Sequence, residues 1–167
     1  SSDLWRRLED MLRAALRGEV TEYKCLRFMP NTPHAAYAGM GQTPNIIMPG
    51  GRVLYYPGLY VDANNELWYT ANTGKQKKIY GGSLLENLSQ ALSQIVIKDC
   101  EMRVATFFQE RILAAGQVHD ELIYCVPEKI AERFARALTA EMKTPPWWAP
   151  DFPLDCETTI GDCYADT

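Results

Sequence analysis

Gln117-Val118-His119-Asp120-Glu121 sets three consecutive ionisable side chains inside an otherwise apolar stretch that runs from Ile112 to Val126. Read as two strands joined by a tight turn, this stretch carries His119 and Asp120 out to the tip of a hairpin. A carboxylate held in such a turn suits a hard cation such as Mg²⁺, which takes oxygen donors in strict geometry. Taken alone, the turn also reads as a polar hairpin tip in an ordinary sheet. A histidine-rich phosphohydrolase site needs several further His ligands, and only His34 remains, in a loop-like segment.

The elements around the turn must position it. Ser83 is the expected N-cap of a long helix, with Glu86 at the capping-box position. Leu84, Leu88, Leu92, Ile95, Val96 and Phe107 recur at helical spacing, and the helix is expected to end near Phe108. Strands are expected over Ile112 to Val118 and Glu121 to Val126. Pro127-Glu128 opens a second amphipathic helix carrying Ile130, Phe134, Leu138 and Met142, since proline is tolerated at the first helical position. Pro145-Pro146-Trp147-Trp148 ends it as a packed loop, and Leu154 to Ile160 reads as a last strand.

Upstream, Leu4, Trp5, Leu8, Met11, Leu12, Ala15 and Leu16 form the apolar face of a helix after Ser2-Asp3, with Gly18 as the stop. From Thr21 to Gly82 the texture becomes β-rich. Ile46 to Met48, Val53 to Tyr56, Leu67 to Thr70 and Lys78 to Tyr80 read as strands, and Gly50-Gly51 and Asn72-Thr73-Gly74 as hairpin turns. The whole suits an α+β fold, an antiparallel sheet with packed helices. One domain spans 1–167: a helix over 1–20, β-rich hairpins over 21–82, then helix, hairpin, helix and final strand over 83–167.

The 167 residues suffice for a core. A hydrophobic share of 47% and a charged share of 23% are ordinary for a soluble globular protein. No apolar run reaches the length of a membrane span, and no signal peptide is visible. The chain begins at Ser1 rather than Met, which reads as a processed, cut or truncated product. Its five cysteines are widely spaced without a CxxC pair, which reads as reduced thiols of a cytoplasmic protein, in the host cytoplasm if viral. The net charge of -4 argues against extensive electrostatic binding of nucleic acid, so such contacts must come from local basic spots. Lys75, Lys77 and Lys78 form one such spot.

Several segments, in order, resemble the C-terminal part of family A DNA polymerases of the phage type. Met48-Pro49-Gly50-Gly51-Arg52 is similar to that family's Leu-Pro-Ser-Gly-Arg stretch. Tyr80-Gly81-Gly82-Ser83-Leu84-Leu85-Glu86-Asn87-Leu88-Ser89-Gln90-Ala91 resembles its Tyr-Gly-Gly-Lys-Leu-x-Glu-Asn-x-x-Gln-Ala helix start. Val118-His119-Asp120-Glu121 matches its motif C, and Pro153-Leu154, Glu157, Gly161 and Tyr164 follow its closing spacing. The resemblance implies a palm subdomain, with the end of the fingers region. It also implies a DNA-directed DNA polymerase working by two-metal nucleotidyl transfer on primer-template DNA and a deoxynucleoside triphosphate. Asp120 would be a ligand of Mg²⁺ (or Mn²⁺), Glu121 its neighbouring acid, and His119 and Gln90 contacts to the primer terminus. Arg52 would touch the DNA backbone.

The departures are specific. Ser83 stands where the family has Lys, and Gln94-Ile95 where it often has Arg-Asp. The family's first metal-binding aspartate and its nucleotide-binding fingers helix lie upstream of the resembling segments and are absent here. The resemblance therefore implies an upstream polypeptide that carries the rest of the active site, and little activity from this chain alone. A catalytically silent assembly or DNA-binding module derived from a palm is the alternative. On residue type alone, Gln90 reads first as a solvated or helix-packing residue, and Arg52 as a solvated turn residue.

Overall fold

The structure, a computed structural model, describes residues 2–31, 34–108, 112–118 and 120–163. Three helices and nine strands are present among them: α1 (Ser2–Leu16), β1 (Thr21–Tyr23), β2 (Leu26–Met29), β3 (Asn45–Ile47), β4 (Val53–Tyr55), β5 (Tyr60–Val61), β6 (Leu67–Thr70), β7 (Gln76–Ile79), α2 (Gly81–Phe107), β8 (Leu113–Val118), β9 (Glu121–Cys125) and α3 (Glu128–Met142). All strand pairs are antiparallel, so the α+β class holds. The strands are shared among three sheets rather than one, in orders β1-β2-β3-β4, β5-β6-β7 and β8-β9. No helix among the described residues is long and apolar enough to cross a membrane. The chain divides into two compact units, Ser1–Leu92 and Ser93–Thr167, and α2 supplies residues to both.

In the first unit, α1 packs on β1 and β2. Its apolar face buries Leu8, Met11, Leu12 and Ala15, while Phe28, Ile46, Tyr56, Leu67, Ile79, Leu84 and Leu88 are buried from the strands and the start of α2. Removing these side chains from water is the main stabilising term. The expected turn at Gly50-Gly51 joins β3 to β4, with φ of 72° and 75° that favour glycine. Tyr56 sits edge-on to Tyr69 with ring centroids 5.1 Å apart, and its hydroxyl accepts a hydrogen bond from Asn87 Nδ2 (3.3 Å). Burial raises the Tyr56 phenol well above its ordinary pKa.

Helix α2 begins two residues earlier than the sequence pattern predicts. Ser83 lies inside the first turn, and its Oγ accepts the N–H of Tyr80 (3.0 Å), the residue before the helix. The serine thus acts as the back-reaching member of a capping pair rather than as the N-cap. Glu9 completes this end: Oε2 accepts the N–H of Gly81 (2.9 Å), and Oε1 accepts from Arg13 Nε (3.2 Å) and Nη2 (2.7 Å). A carboxylate at a helix N-terminus meets both the free N–H groups and the positive end of the dipole.

Gly81 is required there by space. A Cβ on it would lie 2.3 Å from the Trp5 carbonyl oxygen. Alanine outranks glycine as a helix former, yet Gly81→Ala is expected to destabilise by about 1–3 kcal/mol through overpacking. Urea unfolding followed by circular dichroism checks this, and an unchanged midpoint would contradict the close approach.

In the second unit, Cys100, Val104, Phe134 and Leu138 form the buried cluster, with Phe108, Ile112, Leu122, Tyr124, Val126 and Met142 packed against it. Helix α3 follows Pro127, which occupies the cap with φ -59° and ψ 135° rather than the first helical position. Arg103 ties α2 to the end of α3 through Glu141, at 2.6 Å to Oε2 and 3.0 Å to the backbone oxygen.

The expected last strand over Leu154 to Ile160 does not form. The segment bonds sideways to α3 instead. The hydroxyls of Thr158 and Thr139 lie 2.7 Å apart, Cys156 Sγ donates to the Thr139 carbonyl (3.7 Å), and Asp155 pairs with Lys143 (2.7 Å). Pro153 also has no N–H to give a ladder. Trp148 is half-buried as expected of a packed loop, but Trp147 is 79% exposed.

Candidate hairpin site

The β8-β9 hairpin is built by register. Val118 pairs with Glu121, Gln117 with Leu122, Gly116 with Ile123, Ala114 with Tyr124 and Leu113 with Cys125. Two residues therefore span the turn, the connection length that favours tight hairpins. Asp120 is one of them and is exposed; His119 lies outside the described residues. Glu121 opens β9 and is exposed on its own strand.

A bulge at Ala115 decides which side chains look inward. Two steps of β8, Ala114 to Gly116, oppose one step of β9. Directly paired residues share a face. Ala114 with Tyr124 and Gln117 with Leu122 thus lie on the core side, although Ala114 and Gln117 are three residues apart. In an unbroken strand they would face opposite ways. On the core side, Leu122, Tyr124 and Val126 pack on the Phe134 cluster. Burial, then Glu101 and Cys100, pushes the Tyr124 phenol up to about 12, so it stays neutral.

The tip of the hairpin is tied to α2. Gln117 Nε2 donates to Gln94 Oε1 (3.1 Å). Gln94 is visible in the sequence only as a departure from a resembling pattern; its partner lies 23 residues on, in the next strand, and carries no local signal. The opposite face, with Leu113, Val118, Glu121 and Cys125, is open. Deleting Ala115 is expected to remove the bulge and keep the pairings of Ala114 with Tyr124 and of Gln117 with Leu122, because the two residues then stand two positions apart on one face. Hydrogen-exchange protection at the β8 amides that is kept or raised checks it, and its loss would contradict the assigned bulge.

The remaining sequence candidates belong to the first unit. Gln90 is exposed on α2, and its Nε2 donates to Glu86 Oε1 (3.4 Å). Glu86 is therefore a side-chain partner one turn away rather than the capping residue expected of it. Arg52 is exposed after the Pro49–Gly51 turn, with its carbonyl accepting the Met48 N–H (2.7 Å). In the second unit, Asp99 and Glu101 on α2 are half-buried, and Glu101 accepts from Lys98 (2.6 Å).

Asp120 and Glu121 offer adjacent hard oxygen donors, which fit part of a Mg²⁺ shell completed by water or by ligands from another chain. Among the described residues, no group of three or more His, Cys, Asp or Glu is gathered to hold a metal ion. The donor set fits a shared site rather than a complete cage. No family model matches the chain, and comparisons with curated proteins and with solved structures find no match.

Proposed function

We propose that this chain is the C-terminal palm part of a DNA-directed DNA polymerase of the family A type, completed by an upstream polypeptide. The observation that carries the reading is the hairpin turn that exposes Asp120 beside Glu121, together with four motif-like segments in the family's order. Asp120 would hold Mg²⁺, with Mn²⁺ as a substitute, and Glu121 would lie beside it as the auxiliary acid. When bound, such an ion pair activates a primer 3′-hydroxyl and neutralises charge on the leaving pyrophosphate. The work of this chain is positional. The bulge and the Gln117–Gln94 bond fix the tip against α2, and a fixed carboxylate needs little reorganisation during the reaction.

His119, Gln90 and Arg52 would serve the nucleic acid. An amide donor such as Gln90 senses minor-groove acceptors that look alike in A·T and T·A pairs, so it reports pairing rather than sequence. Arg52 would position the backbone. The first metal-binding aspartate and the nucleotide clamp would come from the upstream polypeptide.

The chain alone is expected to extend a primer poorly or not at all. Mixed with an upstream polypeptide bearing those parts, it is expected to incorporate nucleotides with Mg²⁺. A silent assembly or DNA-binding module derived from a palm is the second reading. The mixture separates them: incorporation that ignores Asp120→Ala supports the module.

A further inference from the structure

Two turns in succession shape the segment after α3. The Pro146 carbonyl accepts the N–H of Ala149 (2.9 Å), and the Ala149 carbonyl accepts that of Phe152 (3.0 Å). Pro145, Pro146, Pro150 and Pro153 fix φ along it, which leaves little backbone freedom to lose on binding. The two ends are tied, since Lys143 at the C-cap of α3 pairs with Asp155 at 2.7 Å. Such a loop, compact and closed at its neck, keeps one shape. Pro146 is buried and Trp148 half-buried, which roots it on the unit.

Trp147, between those two, is 79% exposed, and Phe152 is 50% exposed. A tryptophan ordinarily buries most of its large area, so a ring held in water by a constrained loop is a surface that lacks its cover.

Charge says what that cover carries. From Thr144 to Asp162 the chain holds four acids and no Lys or Arg. Lys143 answers Asp155, while Asp151 and Glu157 are exposed and make no ion pair among the described residues. Asp151 stands in the second turn, directly before Phe152. The Lys143 ammonium is held above its ordinary pKa by its bond to Asp155 first and by Glu157 last, which places Glu157 near the neck of the loop. Such a surface repels phosphates and anionic lipid and attracts cations.

We propose that this loop docks a basic, apolar-faced segment of another polypeptide, with Trp147 and Phe152 as the apolar anchors and Asp151 and Glu157 meeting Lys or Arg. A tryptophan face attracts Lys and Arg as well, and a few buried rings supply most of the energy of an interface. A partner that satisfies rings and acids together carries apolar and cationic groups on one element, as a basic amphipathic helix does. The proposal needs neither the hairpin carboxylates nor a metal ion, so its failure and that of the polymerase reading are separable.

The test is fluorescence anisotropy of a labelled synthetic helix of leucine and lysine, the two on opposite faces, titrated with the full chain at low salt. Saturable binding that weakens with salt is expected, with a blue shift of tryptophan emission. Trp147→Ala is expected to weaken binding about 30-fold, and Trp147→Tyr to retain most of it. Trp147 is exposed, so the alanine variant keeps its fold, which circular dichroism checks. Asp151→Asn with Glu157→Gln is expected to cost about 2- to 5-fold for each charge at low salt and to flatten the salt dependence. No saturable binding, or equal affinity for the folded Trp147→Ala chain, overturns the proposal. So does oligolysine or spermine that binds as tightly as the amphipathic peptide, which would mark a charged surface without an anchor. Phosphatidylcholine vesicles that bind through Trp147 while the peptide does not would mark a lipid surface and overturn it too.

Discussion

Replacing Asp120 with Ala in the reconstituted polymerase mixture is expected to lower nucleotide incorporation by about 10³-fold or more, with assembly of the two polypeptides intact. The estimate follows from the charge that the side chain would manage. Loss of a single preorganised group facing developing charge in a dry site costs about 10²–10³ in rate, and loss of a metal ligand disturbs the ion as well. Asp120 is exposed in a two-residue turn and outside the buried cluster, so its truncation leaves the packing of the unit untouched. Surface substitutions of this kind usually change stability by no more than about 0.5 kcal/mol. Single-nucleotide incorporation, paired with size-exclusion analysis of the complex, separates chemistry from assembly. Glu121→Ala in the same assay is expected to show a smaller loss, because on the proposed reading it would neighbour the ion rather than hold it. Undiminished incorporation by the Asp120→Ala mixture would falsify the catalytic reading and leave the assembly module.

Phe134→Ala is expected to destabilise the second unit by about 3–5 kcal/mol, the range for removing a large buried ring. Phe134 is 3% exposed and stands at the centre of the cluster. Its ring meets Phe108 and Tyr124 edge-on, each with centroids 5.0 Å away. Such pairs add about 0.5–1.5 kcal/mol beyond the area they bury. The three rings come from α2's end, from α3 and from β9, so the cavity would lie where the hairpin is anchored. A small fold has only about 5–15 kcal/mol in all, and the loss should reach the tip. The expected readouts are a lower urea midpoint and faster hydrogen exchange at the β9 amides. Leu138→Ala, from the same cluster but without the ring pairs, should cost less, about 2–4 kcal/mol. Equal midpoints for Phe134→Ala and the unaltered chain would contradict the central place given to this ring.

Elements with a strong local period were legible. The apolar face of α1, the strand Leu67 to Thr70, the glycine turn at Gly50-Gly51 and the two arms around Asp120 all follow from spacing and turn chemistry that act within a few residues. The short strands β1, β2 and β5 lack such a period and are held by their neighbours. The start of α2 was misplaced because Ser83 can cap from two positions, and Glu9, 72 residues away in sequence, supplies the other bond to Gly81. The tail from Leu154 to Ile160 has a strand-like composition, but hydrogen bonds and an ion pair to α3 compete with a ladder and take its place.

What the amino-acid order determined by itself is the pair of acids at a two-residue turn, the helices on either side and the antiparallel α+β class, because these rest on periodicity and local backbone preference. What only the tertiary structure decided is the phase of the hairpin. The Ala115 bulge decides which residues of β8 share the face of Leu122 and Tyr124, and Tyr60 and Trp68 of the β5-β6-β7 sheet stand opposite the face that Leu67 and Ile79 bury. Such choices depend on which surfaces of distant segments meet, and burial of one face leaves its opposite to solvent.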